Sequence, residues 1–162
     1  MAHQLDTLHQ LKLNLLYFTG QLGRTDFDSA FTSPDYDPSF DDLAVYAVDA
    51  SFAGVDFSSA KEQAQRLVAD AKHARANKRR ALVTANAMQG VLGRMFLGFV
   101  RSFAPPDFEI ECFDSLPTAM AWIEAGRTQF EPALDRSLIL RSLAELERNS
   151  GSFEAGAASS TG

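Results

Sequence analysis

One cysteine, Cys112, occurs in 162 residues, so an intrachain disulfide is excluded, as is a thiolate cluster holding zinc or an iron–sulfur centre. Positive charge is scarce: 15 Lys and Arg face 21 Asp and Glu, for a formal net charge of -6. That balance argues against a nucleic-acid partner, whose phosphates require a basic face. No segment reaches the ~18 uninterrupted apolar residues of a membrane span. The opening MAHQLDTLHQ has neither a basic n-region nor an apolar h-region. The chain is expected to be cytoplasmic and to have no transmembrane segment.

Catalytic signatures are missing too. There is no Gly-x-Ser-x-Gly and no phosphate loop, while His3 and His9 lie near a start expected to fray and His73 on the solvated face of a helix. DYDPSFDD spaces oxygen ligands as a calcium loop does, but Phe40 stands where an EF-hand needs glycine and Tyr46 where it needs the bidentate glutamate. No metal, cofactor or catalytic residue is expected.

What is present is a core. With 46% hydrophobic and 10% aromatic residues, the chain can bury one substantial interior at the usual size of a single domain. In LKLNLLYF, Leu11, Leu13, Leu15 and Tyr17 alternate onto one face of a strand ending at Gly20, and Leu16 and Phe18 make the end of the other face apolar. A short helix around Thr25 to Phe31 precedes a loop punctuated by Pro34 and Pro38. LAVYAVDA, Leu43 to Ala50, is a nearly continuous apolar run, as in a strand covered on both faces. From Ser59 to Asn77, Ala60, Ala64, Leu67, Val68, Ala71 and Ala74 recur at helical spacing.

The alternation repeats. RRALVTAN reads as a strand, Met88 to Phe103 as a helix and FEIECF as a strand; SLPTAMAWIEAG reads as a helix capped by Ser115, with Pro117 in its first turn and Gly126 at its end. Strands separated by helices imply right-handed crossovers. The expected fold is therefore α/β: a mixed, mainly parallel sheet with helices packed on it, after a short N-terminal antiparallel segment, over residues 1–126. An extra C-terminal helix over 127–148, carrying Leu134, Leu138, Leu140, Leu143 and Leu146, either docks on the domain or joins two copies as a homodimer. Residues 149–162 are small, polar and aperiodic, as in a flexible tail.

VDFSSAKEQ, Val55 to Gln63, opens the second helix. Ser59 and Glu62 form a capping-box pattern, the hydroxyl accepting from the Glu62 amide and the glutamate reaching back to the serine amide, so Ser59 is expected to cap and Ser58 is left over. A buried strand ending in Asp49, a loop, Asp56 and two serines at a helix start together resemble the STAS domain, the fold of anti-sigma-factor antagonists and sulphate-transporter tails. The family's loop glycine is replaced here by Ala60 and Lys61. The resemblance implies a phosphoacceptor at Ser58 or Ser59, where a phosphate would meet free amides and the positive end of the helix dipole. It also implies a protein partner at Asp49, Asp56 and Phe57. RRALVTANAMQGVLGRMF and FEIECFDSLPTAMAWI are similar to the STAS-like family also described as resembling the lipid-carrying CRAL-TRIO fold; Ala81 to Val83, Gly90, Arg94, Met95, Phe113, Ala119 and Trp122 carry the match, which spans about His9 to Gly126. It implies binding or regulation rather than catalysis.

The helix Met88 to Phe103 is too apolar for an ordinary surface helix, with Arg94 and Arg101 as its clearly polar strip. Either it is buried between the sheet and the C-terminal helix, or it lines a lipid pocket or meets a membrane surface, Met95, Phe96 and Phe99 contacting the apolar ligand and Arg94 and Arg101 reaching phosphates. The basic stretch KHARANKRR, Lys72 to Arg80, reads as a helix C-terminus whose cations complement the dipole, continuing into an edge of the next strand. The functional expectation is a regulatory or binding module, not an enzyme, meeting a protein partner at the Asp56 to Ser59 corner. The alternative is a carrier or sensor of a lipid or other apolar ligand, and the third reading an enzyme. A partner-binding module predicts a filled core, a carrier a cavity beside Met95, Phe96 and Phe99, and an enzyme a polar pocket joining Asp49, Asp56 and Asn86.

Overall fold

A computed structural model describes residues 2–52, 55–71, 74 and 77–159, with side chains as far as residue 151. His73 and part of the basic stretch lie outside them. Five strands, β1 (His3–Leu8), β2 (Leu13–Phe18), β3 (Asp41–Tyr46), β4 (Arg79–Val83) and β5 (Glu109–Phe113), form one sheet in sequence order. β1 pairs antiparallel with β2, and the remaining neighbours pair in parallel. This is the expected α/β architecture. His3 is not frayed: it sits within β1, half-buried, with its ring 6.4 Å from that of Phe18.

Sequential strand order decides where the helices go. The crossovers α1 (Arg24–Thr32), α2 (Phe57–Asp70) and α3 (Ala87–Phe103) each advance the sheet by one strand in the same direction. Right-handed connections then put all three on one face. α4 (Leu116–Ala125) and α5 (Arg136–Ser159) follow β5 and cover the other. The strand residues divide accordingly: Leu13, Leu15, Tyr17, Leu43, Ala81 and Val83 pack with α4 and α5, whereas Leu16, Phe18, Ala44 and Tyr46 pack with α1, and Ile110 with α2 and α3. Because both faces of β2 and β3 are covered, their sequences show an apolar run rather than clean alternation.

This arrangement corrects the expectation that α3 lies under the C-terminal helix. α5 is on the opposite side of the sheet, where Leu134, Ile139 and Leu146 are buried against the domain's own core. Asp135 starts it by accepting from the Leu138 amide at 3.1 Å, and the helix continues to Ser159, into the stretch read from sequence as a tail. β3 ends at Tyr46, so Asp49 lies in an exposed turn beyond it rather than at a strand end. Ser115 occupies the N-cap of α4 without a side-chain cap bond; its hydroxyl instead accepts from Thr118 Oγ1 at 3.3 Å.

Two buried links tie the layers. Arg127 donates from Nε to Asp41 Oδ2 at 3.1 Å, and the other Asp41 oxygen accepts from the Arg79 amide at 2.8 Å. On the same face the Arg79 guanidinium lies 4.7 Å from the Trp122 ring and donates to the Trp122 carbonyl.

Candidate functional site

The site begins with small residues. Ala44 on β3, Ala60 on α2 and Gly93 on α3 fill little of the space between the sheet and the α1 to α3 layer, and a cavity of ≈ 120 Å³ remains there. Native interiors seldom leave such space. Phe27, Tyr46 and Phe52 make one wall, their rings held by mutual contacts with centroids 5.5 Å apart for Tyr46 and Phe52 and 6.2 Å for Phe27 and Phe52. Leu82 on β4 and Met95 and Phe96 on α3 also line it. An apolar cavity of ~150 Å³ can accept a benzene-sized guest.

One end of the cavity is charged. Parallel register sets Asn14, Asp42, Arg80 and Ile110 in a row across the sheet, and alternation turns this row toward the cavity side. Asp42 Oδ1 accepts from Asn14 Nδ2 at 2.9 Å, while Oδ2 accepts from the Tyr36 hydroxyl at 2.8 Å and lies 3.0 Å from Lys78 Nζ. Lys78 also donates to the Tyr36 oxygen at 2.6 Å and the Pro38 carbonyl at 3.2 Å. Burial, reinforced by the Asp42 charge, holds the Tyr36 hydroxyl well above the usual tyrosine range, so it stays protonated and donates. Burial lowers the values of Lys78 and Arg80, and Asp42 opposes that shift in both.

A second hollow of ≈ 400 Å³ adjoins the first between α1 and α2, sharing Phe31, Gln63, Leu67 and Arg80 with it. Its rim carries the exposed Arg66 and Asp70. The ion pairs Arg66–Asp28 at 2.7 Å and Arg24–Glu62 at 2.9 Å join α1 to α2 across this side.

At the other end, Gln89 fixes the approach of α3 to the sheet. Its Nε2 donates to the Ala47 and Ala50 carbonyls at 2.8 and 2.9 Å, and its Oε1 accepts from the Ala85 amide at 2.7 Å. Asn86 caps α3 by accepting from the Gln89 amide at 2.9 Å.

The serine corner differs from its sequence reading. Asp56, not Ser59, caps α2: its carboxylate accepts from the Ser59 amide at 2.7 Å, which together with the serine hydroxyl holds the acid below the usual range. Glu62 does not fold back, because Arg24 engages it. Starting the helix at Phe57 also sets that ring edge-on to Phe99, with centroids 4.7 Å apart. Ser58 is exposed in the first turn, whereas Ser59 is half-buried and lines the cavity.

The structure therefore brings Ser59, Met95 and Phe96 to the cavity and leaves others away from it. Phe99 packs on Phe57, which is 65% exposed. Arg94 is exposed, and Arg101 pairs with Glu111 at 3.0 Å. Asp49, Asp56 and Asn86 line neither hollow. The basic stretch is corrected in part: Arg79 and Arg80 open the next strand as expected, but α2 ends at Asp70, and Lys78 and Arg80 are interior. Sequence reasoning missed Asp42, Lys78, Arg80 and Gln89. The available signal was a pair of cations in a strand whose neighbour opens on Asp41 and Asp42.

Among the described residues no group of three or more His, Cys, Asp and Glu could hold a metal ion, and no helix is long and apolar enough to cross a membrane. Comparison with protein-family models, curated proteins and solved structures finds no match.

Proposed function

We propose that this chain is a non-enzymatic binding module of STAS-like type whose ligand is a small molecule with an apolar body, so that it acts as a carrier or sensor. The supporting observation is the cavity under α2 and α3, walled by Leu82, Met95, Phe96 and the Phe27, Tyr46 and Phe52 rings. It lies beside two of the three residues a carrier requires, where a purely partner-binding domain would have a filled core. The STAS-like reading is supported by the element order: an antiparallel first strand, then parallel strands with a helix start carrying Asp56, Ser58 and Ser59 after β3.

The test is an NMR-detected titration of the full chain with octan-1-ol, in wild type and in Ala60→Leu, which puts a larger side chain into the hollow. Saturable shifts centred on Leu82, Met95 and Phe96, lost in Ala60→Leu, are expected. Shifts confined to the surface, or undiminished in the variant, would remove the reading.

A second reading, a protein partner at the corner, draws on one observation: Phe57 is exposed beside the exposed Ser58 at the start of α2. A phosphate on Ser58 would stand at the positive end of the helix dipole. Intact mass spectrometry of protein from its own cells tests this by the presence or absence of a phosphate-sized addition on Ser58 or Ser59.

A further inference from the structure

Among the described residues of the cavity wall, Arg80 alone has a buried side-chain polar atom without a hydrogen bond. Its side chain is 8% exposed, yet Nε is buried and makes no hydrogen bond. Its nearest counter-charge, Asp42 Oδ2, stands 3.9 Å away and is already engaged by Lys78 and Tyr36. Two interior cations thus share one carboxylate. Asp41, the neighbouring acid, is held by Arg127 on the opposite face of the sheet. The guanidinium carbon lies 4.5 Å from the Phe108 ring centroid, a cation–π contact that supplies no hydrogen-bond acceptor. A buried donor without a partner is costly, and a buried positive charge in excess of its partners more so.

Resting on the apolar-ligand reading above, we infer that Arg80 is the headgroup site of that ligand and that the ligand is an amphipathic carboxylate, its anion on the Arg80 guanidinium and its apolar tail in the cavity. The guanidinium matches this anion: its planar fork donates two parallel hydrogen bonds to a carboxylate. Arg80, Leu82 and Thr84 all line the cavity, which sets the guanidinium at one end of an apolar run that an acyl tail can follow. Arg80 also lines the outer hollow, so a tail can pass inward while the carboxylate stops at the junction. Removing Arg80 leaves Asp42 its bonds to Lys78, Tyr36 and Asn14, so Arg80→Met is expected to fold.

The full chain is titrated with octanoate and with octan-1-ol, which share a tail and differ in charge, and Arg80→Met is titrated with both. In wild type octanoate binds at least about tenfold tighter than octan-1-ol, the increment of one charge-assisted pair, and in Arg80→Met the two bind alike. Equal affinities in wild type, or a preference that survives in Arg80→Met, overturn the headgroup site while leaving the apolar-ligand reading in place. If neither compound binds wild type, the apolar-ligand reading fails and this inference with it. Should Arg80→Met not fold, intermolecular nuclear Overhauser effects in wild type decide: contacts from the α-methylene of bound octanoate to the Arg80 δ-methylene support the site, and bound octanoate without them overturns it.

Discussion

Lys78 Nζ lies 3.0 Å from Asp42 Oδ2, with the two side chains only 1% and 4% exposed, while Arg80 Nε stands 3.9 Å from the same oxygen. The two cations are therefore not equivalent. Lys78→Met removes the close partner of a buried carboxylate and is expected to destabilise the fold by about 3 kcal/mol. Arg80→Met leaves that pair intact and should change stability by less than about 1 kcal/mol. Urea unfolding of both variants, with slopes unchanged from wild type, measures the difference; equal losses would show that Asp42 is shared evenly.

Gln89 satisfies three backbone groups, the Ala47 and Ala50 carbonyls and the Ala85 amide. Gln89→Leu preserves volume but removes this partner from the Ala50 carbonyl and the Ala85 amide beneath α3, while the Ala47 carbonyl keeps the Ala50 amide at 3.0 Å. A loss of about 1–3 kcal/mol is expected, together with faster amide hydrogen exchange at Ala85 and around the turn after β3. Exchange unchanged at Ala85 would mean that water replaces the glutamine.

The strands and most helices could be read from sequence because their signals are local. Apolar runs fit strands covered on both faces, and Ala60 to Val68 repeats at helical spacing. The start of α2 could not be assigned that way: Asp56 and Ser59 are both competent caps, and the choice is made by Phe99 and Arg24, which are distant in sequence. RRALVTAN shows Arg80 in a strand, but not that Arg80 and Lys78 are interior. In a run of cations nothing local distinguishes a solvated strand edge from a buried one, and only the parallel register setting Asp42 against Arg80 does so. A cavity beside Met95, Phe96 and Phe99 is the expectation of the carrier alternative alone, since the partner-binding reading expects a filled core, and no local pattern points to the charged end.

Glycine positions in α3 separate propensity from packing. Gly98 is exposed and an added Cβ would meet nothing within 4 Å, whereas at Gly93 it would come to 2.9 Å from Cys112 Sγ. Gly98→Ala should therefore stabilise by about 1 kcal/mol, the helix-propensity gain. Gly93→Ala should lose that gain to overpacking of roughly 1–3 kcal/mol, with Cys112→Ala restoring much of it in the double variant. Thermal unfolding of wild type, Gly93→Ala, Cys112→Ala and the double variant forms the cycle, and additive effects at positions 93 and 112 would show that α3 can shift freely over β5.

Alkaline pH should destabilise the protein through its tyrosines. Burial, then the Glu147 charge, pushes the Tyr17 hydroxyl from 10.0 to about 12, and burial raises Tyr36 and Tyr46 as well. A phenol whose folded value exceeds its unfolded one keeps its proton longer in the native state, so its contribution is complete below about pH 10 and is lost as pH rises through the folded value. Lys78 has the opposite sign. Its folded value is lowered from 10.5, the unfolded chain binds more protons in that window, and stability there rises with pH. Arg80, lowered from 12.5 by burial, acts with Lys78, and Cys112, raised from 9.0 by burial, acts with the phenols; three phenols and a thiol outweigh two cations, so urea midpoints should fall above pH 10. Tyr17→Phe removes one phenol and should flatten the decline between pH 10 and 12; a slope identical to wild type would mean that the Tyr17 hydroxyl titrates alike in the folded and unfolded chain.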